Sequence, residues 1–581
     1  MTSSCHQRLR QLPVLCLIAV CSAPGQAQVR ADNRPDAGKL LEQQLPVAPL
    51  PRQADPRISL PPPKPAAAAG ATVRITPKDF RFTGNTIFPS DLLQSLLAMY
   101  LDQPTDLAGL TSAANIVSTY YRSQGYLLTE AYLPEQALAA TGGTVTIRVI
   151  EARIGRATVE VQGDSTHLSK AFAEEMVTRH LQQGDAVTGY GLDKPVLLLR
   201  DLAGYDASAM VEPGDQPGEA NVRVAISARG PRVDGSVSLD NYGARAAGAL
   251  HAGANFNINN LLGRGDVLAL GGQLSDQPGS NLYRLAYTVP VGGWGTRIGL
   301  NAARLNYALG KQFTALGASG KADLFGVNIS HPFVRGRESN LYGQLSLDQK
   351  RLLDETATPV LRTEREIMSL RAGVAGNFAD RLAGYNASNL FAMTITAGNL
   401  KLDSADFALD QGLGGLRTAG SFSKLNADYQ RVQFLGGSSS VHFSAQAQLA
   451  SKNLGSAEKM ALGGLNGVRG YPVGEGVGDS GNLFTLEYRY QLPPVASLLS
   501  EPVSLLAFYD YGRVRLNQEG PSVAGANNST TLGSVGVGAI FGRAGNFLIK
   551  THLAWRTTPA LPTTGDADRS PRAWLSAQKW F

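Results

Sequence analysis

Leu462-Gly463-Gly464-Leu465-Asn466-Gly467-Val468-Arg469-Gly470-Tyr471-Pro472 opens a glycine-rich stretch that continues to Gly481. Each glycine costs backbone entropy that no side-chain packing returns, so the stretch reads as a loop and neither as helix nor as regular strand. One cation, Arg469, lies at its centre, and the glycines around it let the backbone approach a neighbour closely. A lone arginine in a long, bendable loop asks for an anionic partner, which the flanking sequence has to supply.

The next segment alternates. In Asn482–Leu492, Phe484, Leu486, Tyr488 and Tyr490 fall on one side and Thr485, Glu487, Arg489 and Gln491 on the other, the period-two pattern of a strand. Phe508-Tyr509-Asp510-Tyr511-Gly512 continues the theme: with Tyr509 and Tyr511 outward, Phe508, Asp510 and Gly512 point inward. Asp510 is the first candidate partner for Arg469 and Glu487 the second, since a guanidinium and a carboxylate can form a bidentate pair that fixes where a loop lies. Gly512 leaves room beside the carboxylate.

Further outward, short alternating strands separated by Gly, Asn and Asp turns fill 231–581 with hardly any helical pattern. Val441, Phe443, Ala445, Ala447 and Leu449 oppose His442, Ser444, Gln446 and Gln448. A soluble sandwich would bury the apolar face against a second sheet, whereas a membrane barrel turns it to lipid and keeps the polar face for a wet interior. At about 22 residues per strand and connection, a stretch of this length makes roughly sixteen antiparallel strands, wide enough for an aqueous pore. Asn260–Asp266 reads as a compact periplasmic turn. The chain ends on Trp574 to Phe581, a strand finishing on an aromatic residue.

The N-terminus supports export. Residues 1–27 have a basic start at His6, Arg8 and Arg10, a short apolar core and a small-residue cleavage site, as in a secretory signal peptide. That core is too short to span a bilayer, and nothing after it forms a run of about 18 apolar residues. All three cysteines, Cys5, Cys16 and Cys21, fall inside the signal, so the mature chain is expected to carry no disulfide and no cysteine-based metal site. A net charge of +6 over 581 residues is too modest to imply nucleic acid. The 64 glycines, above the average of about 7%, fit many tight turns.

Between signal and barrel, residues 28–72 hold a short helix around Ala37–Leu45, with Leu40, Leu41 and Leu45 on its apolar side, and then a proline-rich linker. Two similar units follow, 73–151 and 152–230, each in the order strand, helix, helix, strand, strand. Neither has a clustered His, Asp and Glu set, so no catalytic centre, metal or cofactor is expected. Small helix-backed sheets with an open edge suit capture of an extended chain by strand addition. Gly478-Asp479-Ser480-Gly481 copies the surroundings of a serine-protease nucleophile, but no histidine stands nearby in a recognisable context.

Val468-Arg469-Gly470-Tyr471, Leu486-Glu487-Tyr488-Arg489 and Phe508-x-Asp510-x-Gly512, in this order and spacing, resemble the POTRA-plus-barrel outer-membrane superfamily. Two upstream units, an N-terminal helix with a proline linker, and Asn241-Tyr242-Gly243 entering the barrel resemble its TpsB transporters of two-partner secretion. The resemblance implies α+β POTRA domains in the periplasm of a Gram-negative bacterium, followed by an all-β barrel in the outer membrane. It implies that the loop folds back into the barrel with Arg469 bonded to Asp510, and that the helix plugs the pore at rest. The POTRA domains would bind an unfolded, exported client, a large β-helical exoprotein, with Tyr126–Leu133 (Tyr126, Leu127, Leu128 and Leu133) as the edge strand. Outer-membrane lipids, periplasmic chaperones and the barrel-assembly machinery are further implied partners, the last of these through the terminal Phe581. Lys579 departs from the apolar residue usual near such a terminus. The rival readings are a barrel-assembly insertase of the same superfamily and a passive porin.

Overall fold

The computed structural model describes residues 34–44, 57–60, 74–137, 142–163, 167–276, 278–493, 501–519, 527–564 and 569–581. The signal-peptide reading and Leu45 lie outside these residues.

Sixteen antiparallel strands close into one barrel, from Val233–Asp240 to Arg572–Trp580. The burial pattern is the reverse of a soluble protein's. Leu345, Leu347, Met368, Leu370, Met393 and Ile395 face outward and exposed, while Asp348, Lys350, Ser369 and Thr396 on the same strands are buried inside. An apolar band of this kind is stable only against lipid. The first and last strands pair over Ser236–Asp240 and Ser576–Trp580, and Gly235 and Phe581 exchange backbone hydrogen bonds of 3.0 and 3.1 Å. Phe581 packs on Phe256 with ring centroids 5.8 Å apart. Asn241 stitches the other end of this seam, accepting from the Leu575 amide at 2.8 Å and donating to the Ala573 carbonyl at 3.1 Å. Lys579 faces outward and donates to Asn546 at 2.5 Å.

Ahead of the barrel come α1 (Ala37–Gln44) and β1 (Arg57–Ser59), then two units of one topology. The first has β2 (Asp79–Thr83), α2 (Ser90–Leu96), α3 (Leu107–Ser123), β3 (Glu130–Tyr132) and β4 (Thr144–Ile150), with sheet order β2-β4-β3. The second has β5 (Arg153–Gln162), α4 (Lys170–Thr178), α5 (Gly189–Arg200), β6 (Tyr205–Pro213) and β7 (Glu219–Ala228), with order β5-β7-β6. Local chemistry explains the elements. Asp106 caps α3 by accepting from the Gly109 amide at 2.8 Å, and Leu110, Ala113, Ala114, Val117 and Tyr121 form its buried stripe. Alternate residues Val145, Ile147 and Val149 of β4 complete that core.

One strand departs from expectation. Only Glu130–Tyr132 of the segment Tyr126–Leu133 is strand. Tyr126 and Leu133 pack into the first core, Leu128 packs against the second, and Leu127 lies against Gly189. Tyr126 and Leu133 are thus engaged in the first core and Leu127 and Leu128 face the second unit, and Tyr126, Leu127, Leu128 and Leu133 all lie outside the three-residue edge strand. The linker also holds a strand that the sequence pattern did not signal: β1 adds in parallel to the outer side of β6.

The second unit sits on one rim of the barrel. Arg335 forms a bidentate pair with Asp201 at 2.7 Å on both bonds, and Arg337 does the same with Asp193 at 2.7 and 2.8 Å. The Asn260–Asp266 turn reaches the same unit through Asn260 and Tyr205 at 2.5 Å and through the Ser169 amide on the Gly263 carbonyl at 2.8 Å. That turn and the two ion pairs place this rim on the side of the two α+β units.

Candidate functional site

The glycine loop turns into the lumen, and Arg469 at its tip is buried. Its Nη2 donates to Asp510 Oδ1 at 2.8 Å and its Nε to Oδ2 at 3.0 Å, a bidentate pair. The Arg469 amide adds a third bond to Oδ2 at 3.1 Å. Nη1 reaches Glu487 Oε2 at 2.8 Å, and Arg489 holds the other oxygen of that carboxylate at 2.5 Å. Thr485 and Ser534 donate hydroxyls to Asp510 at 3.1 and 2.9 Å, so its oxygens are fully engaged. Each charge taken out of water here meets an opposite charge and hydrogen bonds, the condition under which a buried ion pair is tolerated.

Close packing explains the residues between. The guanidinium carbon lies 3.3 Å from the centroid of the Phe508 ring, a cation–π stack beneath the ion pair. A Cβ on Gly512 would come within 2.7 Å of Leu462 Cδ2, and one on Gly470 within 2.8 Å of Ser534 Cβ. Val468 and Tyr471 are buried with Leu462, Leu483, Val514 and Leu532, and the Tyr471 hydroxyl donates to the Ala560 carbonyl at 2.8 Å. Trp574, on the last strand, donates its indole N–H to the Arg469 carbonyl at 2.8 Å. The structure thus brings together Arg469, Asp510, Glu487, Phe508, Gly512, Val468, Gly470 and Tyr471. Trp574, Thr485 and Ser534 complete the constellation, and no spacing rule in the sequence links them to it.

The second occupant of the lumen is α1. Leu40 and Leu41 are buried against an apolar patch of the inner wall that includes Leu282, Leu305, Leu324, Leu352, Ile367 and Leu400. This corrects the expectation of a uniformly polar lumen: a helix with two inward leucines needs an apolar seat, and the wall carries one. Polar contacts ring the seat. The Ala37 amide donates to Asp354 at 2.8 Å, Ser456 donates to Asp36 at 2.9 Å, Gln44 donates to Ser280 at 2.9 Å, and Glu42 pairs with Lys350 at 3.3 Å. Gly38 meets Ala457 so closely that a Cβ would lie 2.8 Å from it. Ser456–Glu458, which receives the helix, immediately precedes the glycine loop.

Gly478-Asp479-Ser480-Gly481 is structural. Asp479 is buried, pairs with Lys459 at 2.8 Å and accepts from the Leu454 and Gln518 amides at 3.0 and 2.8 Å. Outside the barrel, Glu151 ends the first α+β unit, with Arg153 of the second 3.9 Å away. Burial pushes its carboxyl up, but donors on Thr86, Ile87 and Tyr121 outweigh that and hold it below the usual range. The Tyr121 phenol is correspondingly raised by burial and by its bond to Glu151.

The profile of the family described as haemolysin secretion/activation protein ShlB/FhaC/HecB matches residues 218–537, and that of the ShlB-type POTRA domain matches 75–152. The heme/hemopexin transporter protein HuxB of Haemophilus influenzae strain 86-028NP is 31% identical over 85% of this chain and 84% of its own length. The outer membrane transporter CdiB of Dickeya dadantii is 22% identical over 80% of both chains. CdiB from Escherichia coli has the same fold, with a TM-score of 0.68, 20% identity, and coverage of 90% of this chain and 93% of that one. A POTRA-bearing, sixteen-stranded barrel with these relatives belongs to the haemolysin secretion/activation family, the outer-membrane transporters of two-partner secretion.

Proposed function

We propose that this transporter is closed at rest by α1 and latched by Arg469, and that an exported client opens it. The observation that carries this reading is double occupancy of the lumen: a helix on an apolar seat and a loop keyed by a buried ion pair share one pore. The partner is a secreted exoprotein. Its unfolded chain engages the POTRA units, α1 leaves the wall, the loop shifts, and the chain passes through the lumen. Folding outside supplies the direction. Lipids hold the exposed apolar band, and periplasmic chaperones with the barrel-assembly machinery deliver and insert the barrel through the terminal strand ending at Phe581.

The division of labour follows the chain: a signal peptide at 1–27, plug helix and linker at 28–72, POTRA units at 73–151 and 152–230, and the barrel at 231–581. In this scheme Arg469 and Asp510 act on conformation and contribute no chemistry to the cargo. The test is secretion of a candidate partner exoprotein co-produced with this chain, measured in the culture medium with and without the transporter. Export that continues in its absence would refute the reading. Deleting Asp36–Gln44 should raise resting conductance in planar bilayers, and an unchanged conductance would refute the plug.

A further inference from the structure

The stretch of wall that seats α1 on its inner side carries a charged row on its outer side. Tyr283, Arg304, Asp323, Arg351, Glu366 and Lys401 are successive register partners across six strands, so they form one line facing away from the lumen. The inward residues next to them, Leu305, Leu324, Leu352, Ile367 and Leu400, belong to the seat. Directly below the charged line come Leu285, Ala302, Phe325, Gln349 and Met368, and of these Leu285, Phe325 and Met368 are exposed apolar side chains. Leu347 and Leu370 continue the apolar surface downward. Arg351 stands 12 residues beyond Ser339, where its strand leaves the rim that holds the second POTRA unit. At about 3.4 Å per residue and a tilt of about 40°, the charged row lies roughly 30 Å from that rim, at the far edge of an apolar band about 25 Å tall. With the POTRA units in the periplasm, this edge is the headgroup level of the outer leaflet.

The cations of the row are only partly committed. Arg304 donates its Nε to Asp323 at 2.5 Å, and Arg351 Nε lies 3.7 Å from Glu366, which also accepts from Gln349. Those contacts use one edge of each guanidinium; the Nη groups of both have no partner among the described residues. Lys401, and Lys321 two positions above Asp323, are exposed and make no ion pair among the described residues. The carboxylates above the row, Glu355 and Glu364, are taken up by Arg362 at 3.3 and 2.5 Å. A hollow of about 540 Å³ opens over this surface, and its lining includes Tyr283, Leu285, Ala302, Arg304, Phe325 and Arg351. It is therefore cationic at its upper side and apolar at its lower side.

We propose that this hollow is a binding site for a phosphorylated glycolipid of the outer leaflet, of the lipid A type. Guanidinium forks recognise phosphate oxygens by paired hydrogen bonds, and a basic pocket at headgroup level gathers anionic lipid. The phosphorylated sugar takes the open Nη donors of Arg304 and Arg351 with the ammonium groups of Lys321 and Lys401 around it. The acyl chains run down over Leu285, Phe325 and Met368 toward Leu347 and Leu370. Asp323 and Glu366 hold the two arginines in place between the strands. Three observations choose a lipid as the occupant: the height of the row, the uncommitted cations, and the apolar surface directly beneath them, which a soluble phosphate would leave uncovered. The bound lipid packs behind the seat of α1, on the other side of the same strands. This inference concerns the outer wall and stands apart from the transport reading.

The test uses the full-length protein in detergent, titrated with diphosphoryl lipid A, with bound lipid counted by native mass spectrometry. The unmodified protein should bind it saturably, and should bind fully dephosphorylated lipid A about tenfold or more weakly. The double variant Arg304→Ala with Arg351→Ala should lose about tenfold or more in affinity for the phosphorylated form. A second double variant, Arg513→Ala with Arg515→Ala, removes the same charge from two exposed positions high on the strand Val503–Arg515. It should leave binding within about twofold, because that strand lies far around the barrel from the hollow. All four side chains are exposed, so both variants should still form a heat-modifiable barrel. Equal losses from the two double variants would mean that lipid follows overall charge and not this site. Equal binding of phosphorylated and dephosphorylated lipid A by the unmodified protein would mean that the cations recognise nothing. Either result overturns the proposal, and neither measurement requires export.

Discussion

Arg469 and Glu42 are both charged residues on segments that enter the lumen, and they are held there by different means. The Arg469 side chain is 6% exposed and its partner Asp510 is 0% exposed, while Glu42 is 48% exposed beside Lys350. Asp510 accepts from Arg469, Thr485 and Ser534, whereas among the described residues Glu42 pairs with Lys350 at 3.3 Å. The loop is continuous with barrel strands at both ends; α1 is joined to the rest of the chain through the linker. On these contacts α1 is the occupant expected to move first. A fully paired buried ion pair resists disturbance because either charge left alone is costly, whereas a helix on an apolar seat leaves intact when its leucines find another cover.

The largest effect should come from breaking the pair one partner at a time. Arg469→Ala leaves Asp510 and Glu487 buried without their cation, and Asp510→Asn leaves Arg469 without its bidentate acceptor. Each should cost the loop about 3–5 kcal/mol of local stability. Secretion should fall more than about tenfold with a comparable amount of heat-modifiable barrel in the membrane, and the loop should become cleavable by added protease. Normal secretion from both variants would remove the latch. A smaller effect is expected from filling the glycine spaces. Gly512→Val drives a side chain into Leu462, already 2.7 Å from a bare Cβ, and should cost about 1–3 kcal/mol by overpacking. Its loop should show intermediate protease sensitivity, between the unmodified protein and Asp510→Asn.

How far the sequence reveals this arrangement varies with the kind of signal. Inward placement of Phe508, Asp510 and Gly512 follows from alternation, because strand period is strict and Tyr509 and Tyr511 occupy the other face. Trp574 is not legible as a partner of the loop, because a contact across 105 residues with a backbone carbonyl has no spacing signature. The apolar seat for α1 is hidden for a similar reason: Leu305, Leu352 and Leu400 come from different strands and converge only when the barrel closes. In the first POTRA unit, the apolar run after Gly125 resembles a strand, yet Tyr126 and Leu128 fill two different cores. β1 is three residues in a proline-rich segment, too short for periodicity to register.

Gly38→Leu acts on the helix alone. A leucine there cannot coexist with Ala457, whose Cβ stands 2.8 Å from the position of the first added carbon. α1 should leave its seat, resting conductance in planar bilayers should rise severalfold, and the loop should remain protected from protease. A loop that became cleavable in this variant would mean that the two occupants are one cooperative unit, joined through Ser456–Glu458.

Salt gives the smallest and most selective effect. Raising ionic strength from 0.1 to 1 M shortens the screening length from about 10 Å to about 3 Å, which weakens exposed pairs and hardly touches buried ones. The Glu42–Lys350 contact should therefore weaken by a few tenths to about 1 kcal/mol, the range of an ion pair with one exposed member. The frequency of openings, normalised to solution conductivity, should rise by a factor of roughly two to five, since about 1.4 kcal/mol corresponds to tenfold. Glu42→Gln should already show the higher frequency at low salt and lose the salt response. Protease protection of the loop around Arg469 should be the same at both salt concentrations. If salt instead exposes the loop while leaving the openings of Glu42→Gln and the unmodified protein alike, the helix is the firmer occupant, and the order of release runs from loop to helix.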